Sequence, residues 1–245
     1  MTHQIRHNMC RTTSLVSGLL TLCAALGAQS PNRFSNLQVL PKTISNQELT
    51  DMMRRFSFSL GVRCEFCHST ADFPADDKEN KQTARAMLRM VAAINRDYIG
   101  KLSLAAQGQV ECVTCHRGLP QPRTLMAVLD EALEQHGVPA AIALYRDLRK
   151  KDYGSGEYDF SERSLNILSE GLLKQHKTKQ AVAIMELNHE VNLPLSGWAL
   201  SVLAMSHQAS GDVDKAIADY RNILEVTPNN SWAKQQLEEL QKGKQ

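Results

Sequence analysis

Two five-residue segments carry the residue types that can do chemistry: Cys64-Glu65-Phe66-Cys67-His68 and Cys112-Val113-Thr114-Cys115-His116. Two thiols three residues apart can each add to one vinyl group of a porphyrin, while the imidazole that follows binds the iron; this is the attachment pattern of a c-type haem. On one helical turn all three side chains share a face. The thiol pairs alone would read equally as a structural zinc site or a redox-active dithiol. The histidines separate these readings. With 8 His in 245 residues, finding one after both pairs by chance has a likelihood of roughly one in a thousand. The 44 residues between the pairs are also long for a zinc ribbon. The expectation is two covalently attached haem c groups, one held by Cys64, Cys67 and His68 and the other by Cys112, Cys115 and His116.

The N-terminus agrees with this chemistry. Arg6 and Arg11 precede the apolar run from Leu15 to Ala28, and polar Gln29-Ser30-Pro31 follows. The pattern reads as a secretory signal peptide over residues 1–28. Its 14 apolar-run residues are fewer than the roughly 20 that span a bilayer. Cys23 raises the alternative of a lipid-modified N-terminus, against which Leu22 before it speaks. Cleavage near Ala28 would discard Cys10 and Cys23, so every remaining cysteine belongs to a haem motif and none is left for a disulfide staple. The compartment expected is the periplasm, with membrane association as the alternative. The formal charge of +2 comes from Arg6 and Arg11, which leaves the mature chain balanced at 26 basic and 26 acidic side chains. Such a balance excludes a general nucleic-acid binder. It is uneven, however: residues 29–123 hold 13 basic and 9 acidic residues, and residues 124–245 hold 13 and 17.

Two modules must position these motifs, and nothing in either reads as a strand, so the fold expected is all-α. Residues 29–43, with Pro31 and Pro41, look like an extended lead-in. Ser45 and Glu48 form a capping box, apolar residues recur from Leu49 to Leu60, and Gly61 is placed to end the helix just before the first motif. A polar loop, Ser69 to Gln82, separates it from a second helix predicted over Thr83–Ile99 and stopped by Gly100. From Leu125 the texture changes to helices repeating near 35 residues, with Ala141…Tyr145, Ala181…Met185 and Ala216…Tyr220 at equivalent places. The unit from Trp198 to Pro228 resembles a tetratricopeptide repeat, the unit at 162–194 less closely, and the unit at 122–155 only in its second helix. About two and a half repeats and a terminal helix, Ser231–Leu240, are expected, with an ordinary helical bundle as the alternative. The domains are therefore 29–123, a dihaem cytochrome c module, and 124–245, a TPR-like α-α solenoid.

Each iron needs a ligand opposite its histidine, and the helices before the motifs carry Met52, Met53, Met87 and Met90. Taken singly, each reads as a core gap-filler. The segment from Asn36 through Ile44-Ser-Asn-Gln-Glu-Leu49, Met53 and Gly61-Val-Arg to the first motif resembles the cytochrome subunit of photosynthetic reaction centres. The resemblance covers about residues 36–120. It implies an axial methionine on the helix ahead of each motif, at offsets that select Met53 for the His68 haem and Met90 for the His116 haem. Members of the photosynthetic type carry four haems, whereas this chain has two motifs and adds helical repeats. His/Met ligation raises the potential relative to bis-His haem and suits passing electrons. Arg63 and Arg117 flank the motifs as candidate propionate partners, although solvated arginines are the commoner outcome. His136, His176, His189 and His207 read as surface or core residues of the repeats.

The function expected is an exported dihaem electron carrier, not an enzyme, that exchanges electrons with a redox protein or a membrane-bound electron-transfer complex and docks through its repeats. A dihaem peroxidase, which needs one displaceable distal position, and a repeat scaffold with a redox haem passenger are the alternatives.

Overall fold

The computed structural model describes residues 34–102 and 108–243, so the signal-peptide reading of residues 1–28 lies outside the described residues. Within them the chain is helical throughout, with no strand. Helix α1, Asn46–Leu60, starts at Ser45, whose hydroxyl accepts from the Glu48 amide while the Glu48 carboxylate accepts from the Ser45 amide. It ends at Gly61 in the left-handed region, φ 64°. Both signals were legible as a capping box and a terminal glycine.

The first motif forms a 3-10 turn, Cys64–Phe66, and helix α2 follows at Glu79–Ala93. This helix begins four residues before the predicted Thr83. The loop it caps explains the difference: Asn80 and Lys81 turn their side chains back onto loop carbonyls, a tertiary demand that periodicity does not register. Its far end passes through a π-helical turn, Ile94–Tyr98, and a 3-10 turn, Ile99–Lys101, instead of running regularly to Ile99. Helix α3 is the second motif itself, Cys112–His116.

The remaining helices are α4 (Leu125–Asp152), α5 (Glu162–Lys174), α6 (Thr178–Val191), α7 (Gly197–Ser210), α8 (Val213–Val226) and α9 (Ser231–Lys242). Helix α4 breaks at Gly137, φ 80° and ψ −179°, so the first unit is one interrupted helix. Pro139 is tolerated because it falls in the first turn after that break, where its missing N–H has no partner to lose. Antiparallel pairs α5/α6 and α7/α8 then stack in succession, with α6 against α7 and α9 against α8. This is a cytochrome-type helical module followed by helical repeats.

Every buried apolar side chain among the described residues lies at or beyond Leu125. Leu125, Leu129, Leu133, Tyr145, Leu165, Leu172 and Ile184 fill one cluster across α4, α5 and α6. Tyr220, Ile223 and Ala233 fill another, in which Trp232 meets Tyr220 edge to face at 5.4 Å. Buried amides tie the first hairpin: Asn188 donates to Asn166 at 2.7 Å and to the Glu162 carbonyl at 3.0 Å. His207 joins α7 to α8 through a 2.6 Å contact with Asp219 and is buried, which settles for it the choice between surface and core that the sequence leaves open.

Candidate functional site

Both motif histidines have the same local arrangement. The ring of His68 lies with Nδ1 3.0 Å from the Phe73 carbonyl oxygen, and that of His116 with Nδ1 2.8 Å from the Leu119 carbonyl oxygen. A carbonyl only accepts, so Nδ1 carries the proton and Nε2 keeps its lone pair for a metal. In each motif the first cysteine carbonyl or the residue preceding it starts the turn that brings the thiols together: the His68 amide donates to the Cys64 carbonyl at 3.0 Å, and Glu111 and Thr114 cap α3 reciprocally.

The four thiols Cys64, Cys67, Cys112 and Cys115 are unpaired. Burial pushes the Cys67 thiol up, with the Lys78 charge acting against it, and burial likewise raises Cys112, reinforced by Glu111 and Cys115. Among the described residues no three His, Cys, Asp or Glu side chains converge as a metal site.

The apolar surroundings fit a porphyrin. Phe58, Phe66, Phe73, Met87, Met90, Tyr98 and Val113 are all exposed, while the buried groups of this module are Ser59, Lys81 and Arg85. These exposed apolar side chains, in a module whose buried groups among the described residues are polar, present a surface that a large apolar plate covers. Met53 is half-buried on α1, and Met90 shares a face of α2 with Met87. Arg63 and Arg117 are exposed, with Arg117 held in the left-handed region at φ 49°.

Several positioning contacts carry no sequence signature. The two motifs are joined where α1 ends: the Gly118 amide donates to the Ser59 carbonyl at 2.9 Å, and a Cβ on Gly61 would stand 2.0 Å from the Gly118 carbonyl oxygen. Asn95, in the π-helical turn, receives the Val110 amide and donates to the Val110 carbonyl, both at 2.8 Å, fixing the approach to Cys112. Around the first motif, Lys78 donates to the Glu65 carbonyl and Asn80 to the Phe66 carbonyl.

Paired thiols, tautomer-fixed histidines and an outward apolar surface on an all-helical frame define a c-type cytochrome. The family described as photosynthetic reaction centre cytochrome C subunit matches residues 4–186, most of the chain, and the protein belongs to it. The match runs past residue 123 into α4, α5 and α6, farther than the resemblance over residues 36–120. Cytochrome c-554 of Chloroflexus aurantiacus is 39% identical over 92 residues, 38% of this chain and 22% of that protein. The photosynthetic reaction center cytochrome c subunit of Thermochromatium tepidum is 34% identical over 99 residues, 40% of this chain and 24% of that one. That of Roseobacter denitrificans is 33% identical over 94 residues, 33% and 25% of the two chains. The chain thus spans about a quarter of the length of the curated relatives it matches. Membership of this family implies covalently bound haem c. Among the described residues no helix is long and apolar enough to cross a membrane.

Proposed function

We propose that the protein is an exported dihaem cytochrome that carries single electrons to or from a redox protein or membrane-bound electron-transfer complex, using residues 29–123 for the chemistry and the TPR-like repeats of 124–245 for docking. One observation carries the haem assignment: each Cys-x-x-Cys pair is followed by a histidine whose Nδ1 is bonded to a backbone carbonyl, leaving Nε2 as the iron ligand. Haem supplies reversible one-electron chemistry; the chain orients it, shields it and sets its potential. Cys64 and Cys67 would hold one group with His68 as ligand, and Cys112 and Cys115 the other with His116. The acidic excess of the repeats suits a basic partner surface.

Protein matured with a haem-attachment system should show, on denaturing mass analysis, the peptide plus two covalent haems. Bound zinc without haem would overturn the assignment.

Met53 and Met90 complete the proposed ligand sets, Met53 with His68 and Met90 with His116, on the family offsets. Met53→Ala and Met90→Ala should each abolish one thioether ligation signal in the ferric near-infrared spectrum and lower the potential of that haem alone. Loss of a signal on replacing Met52 or Met87 instead would shift the register by one residue on α1 or one turn on α2.

A further inference from the structure

The two motifs are alike in covalent pattern but not in what stands behind the histidine. The Phe73 carbonyl that receives His68 Nδ1 at 3.0 Å also receives the ammonium of Lys81 at 2.9 Å. Lys81 is 9% exposed, and its Nζ lies 2.8 Å from the Pro74 carbonyl and 2.6 Å from that of Ala75. Asp76 stands 3.3 Å from the same ammonium, and Arg85, 7% exposed, binds Asp76 at 2.8 Å. Two buried cations and one carboxylate leave this cluster with an excess positive charge. The other carboxylates nearby, Glu65, Asp72, Asp77 and Glu79, are exposed, where solvent screens them. Behind His116 the arrangement differs. Among the described residues no Lys or Arg donates to the Leu119 carbonyl, and the side chain packed against neighbouring Gly118 is that of Glu157.

We infer that Lys81 is a positioning and tuning residue that gives the haem at His68 a higher reduction potential than the haem at His116. Two effects act in the same direction. A hydrogen bond from Nδ1 to a carbonyl raises the basicity of a ligating histidine and so favours the ferric ion. A carbonyl already polarised by an ammonium accepts less strongly from Nδ1–H, so His68 donates less to its iron than His116 does. The same buried charge also disfavours the extra positive charge of the ferric state directly, in surroundings where it is poorly screened. In a chain holding two haems and one electron, the electron would reside mainly on the haem held by His68, leaving the one held by His116 oxidised. The inference rests on the dihaem reading proposed above.

The test is a spectroscopic redox titration of the full haem-loaded chain and four variants, after the haem count of each has been measured. Lys81→Gln should reduce the ferrous-to-ferric ratio of one haem about tenfold at a given potential, a downward shift of about 59 mV for one electron. Asp76→Asn, which leaves both cations unopposed, should move the same component upward. Lys81→Arg should keep most of the wild-type value. The component that moves should be the one retained in the Cys112→Ala/Cys115→Ala chain. A loop that merely loosened would shift both variants in the same direction. Unchanged potentials, shifts of one sign, or movement of the other haem in proteins that carry two haems would overturn the inference. Should Lys81→Gln fail to retain the first haem, the upward shift of Asp76→Asn decides it. A wild-type chain with fewer than two haems would instead refute the dihaem reading.

Discussion

Expressed without haem attachment, residues 29–123 should show no cooperative unfolding transition, whereas the same segment matured with two haems should fold and titrate as a redox protein. Ordering a residue costs about 1–2 kcal/mol in backbone entropy alone. Burial must offset that cost, and in this module the buried groups among the described residues are Ser59, Lys81 and Arg85. Phe58, Phe66, Phe73, Met87, Met90 and Tyr98 are exposed instead. Residues 124–245 should behave in the opposite way, folding without haem on the clusters that begin at Leu125. Contacts across the boundary include Arg123 with Glu131 at 2.6 Å and Glu157 against Gly118. Circular dichroism and denaturant titration of both fragments, with and without maturation, check the expectation. A cooperative haem-free 29–123, or a repeat fragment that is unfolded alone, would show that the cofactor does not supply the missing core. Use of the folded 124–245 fragment as bait then tests docking: if the intact protein binds its partner and the fragment does not, the docking role fails.

Gly61→Ala should be among the most damaging single changes outside the haem ligands. The residue sits at φ 64°, where a Cβ costs about 1–2 kcal/mol. That Cβ would also meet the Gly118 carbonyl oxygen at 2.0 Å and its carbon at 3.0 Å, both backbone atoms that cannot rotate away. The end of α1 would have to separate from the turn after His116, breaking the 2.9 Å bond between the Gly118 amide and the Ser59 carbonyl. A loss of about 2 kcal/mol or more in the stability of the haem-loaded chain is expected. Gly118→Ala provides the comparison. It also has a positive φ, 90°, but its Cβ would meet the side chain of Glu157, which can move. Denaturant unfolding should therefore rank Gly61→Ala well below Gly118→Ala; equal losses would mean that backbone conformation alone, and not the junction of the two motifs, sets the requirement.

What could be read along the chain was whatever a short segment determines by itself. Thioether attachment and imidazole ligation need three side chains within five residues, so both motifs were visible. The start and end of α1 were visible for the same reason, since Ser45 and Glu48 satisfy each other's amides and Gly61 adopts its φ locally. The hairpins from Glu162 onward followed from periodic apolar residues, because each helix buries one face against its neighbours. The tertiary structure alone decided the rest. The acceptors for the two histidines are the Phe73 and Leu119 carbonyls, and a carbonyl is present at every residue, so no residue type announces it. The early start of α2 depends on Asn80 and Lys81 reaching carbonyls 14 and 8 residues back in the chain. The difference between the motifs likewise arises from which distant charge the fold brings behind each ring, Lys81 for His68 and Glu157 for the turn after His116. Residue spacing determines which atoms can bond a haem; the polarity around each ligand is set by atoms far apart in the chain, and becomes defined only when the helices pack.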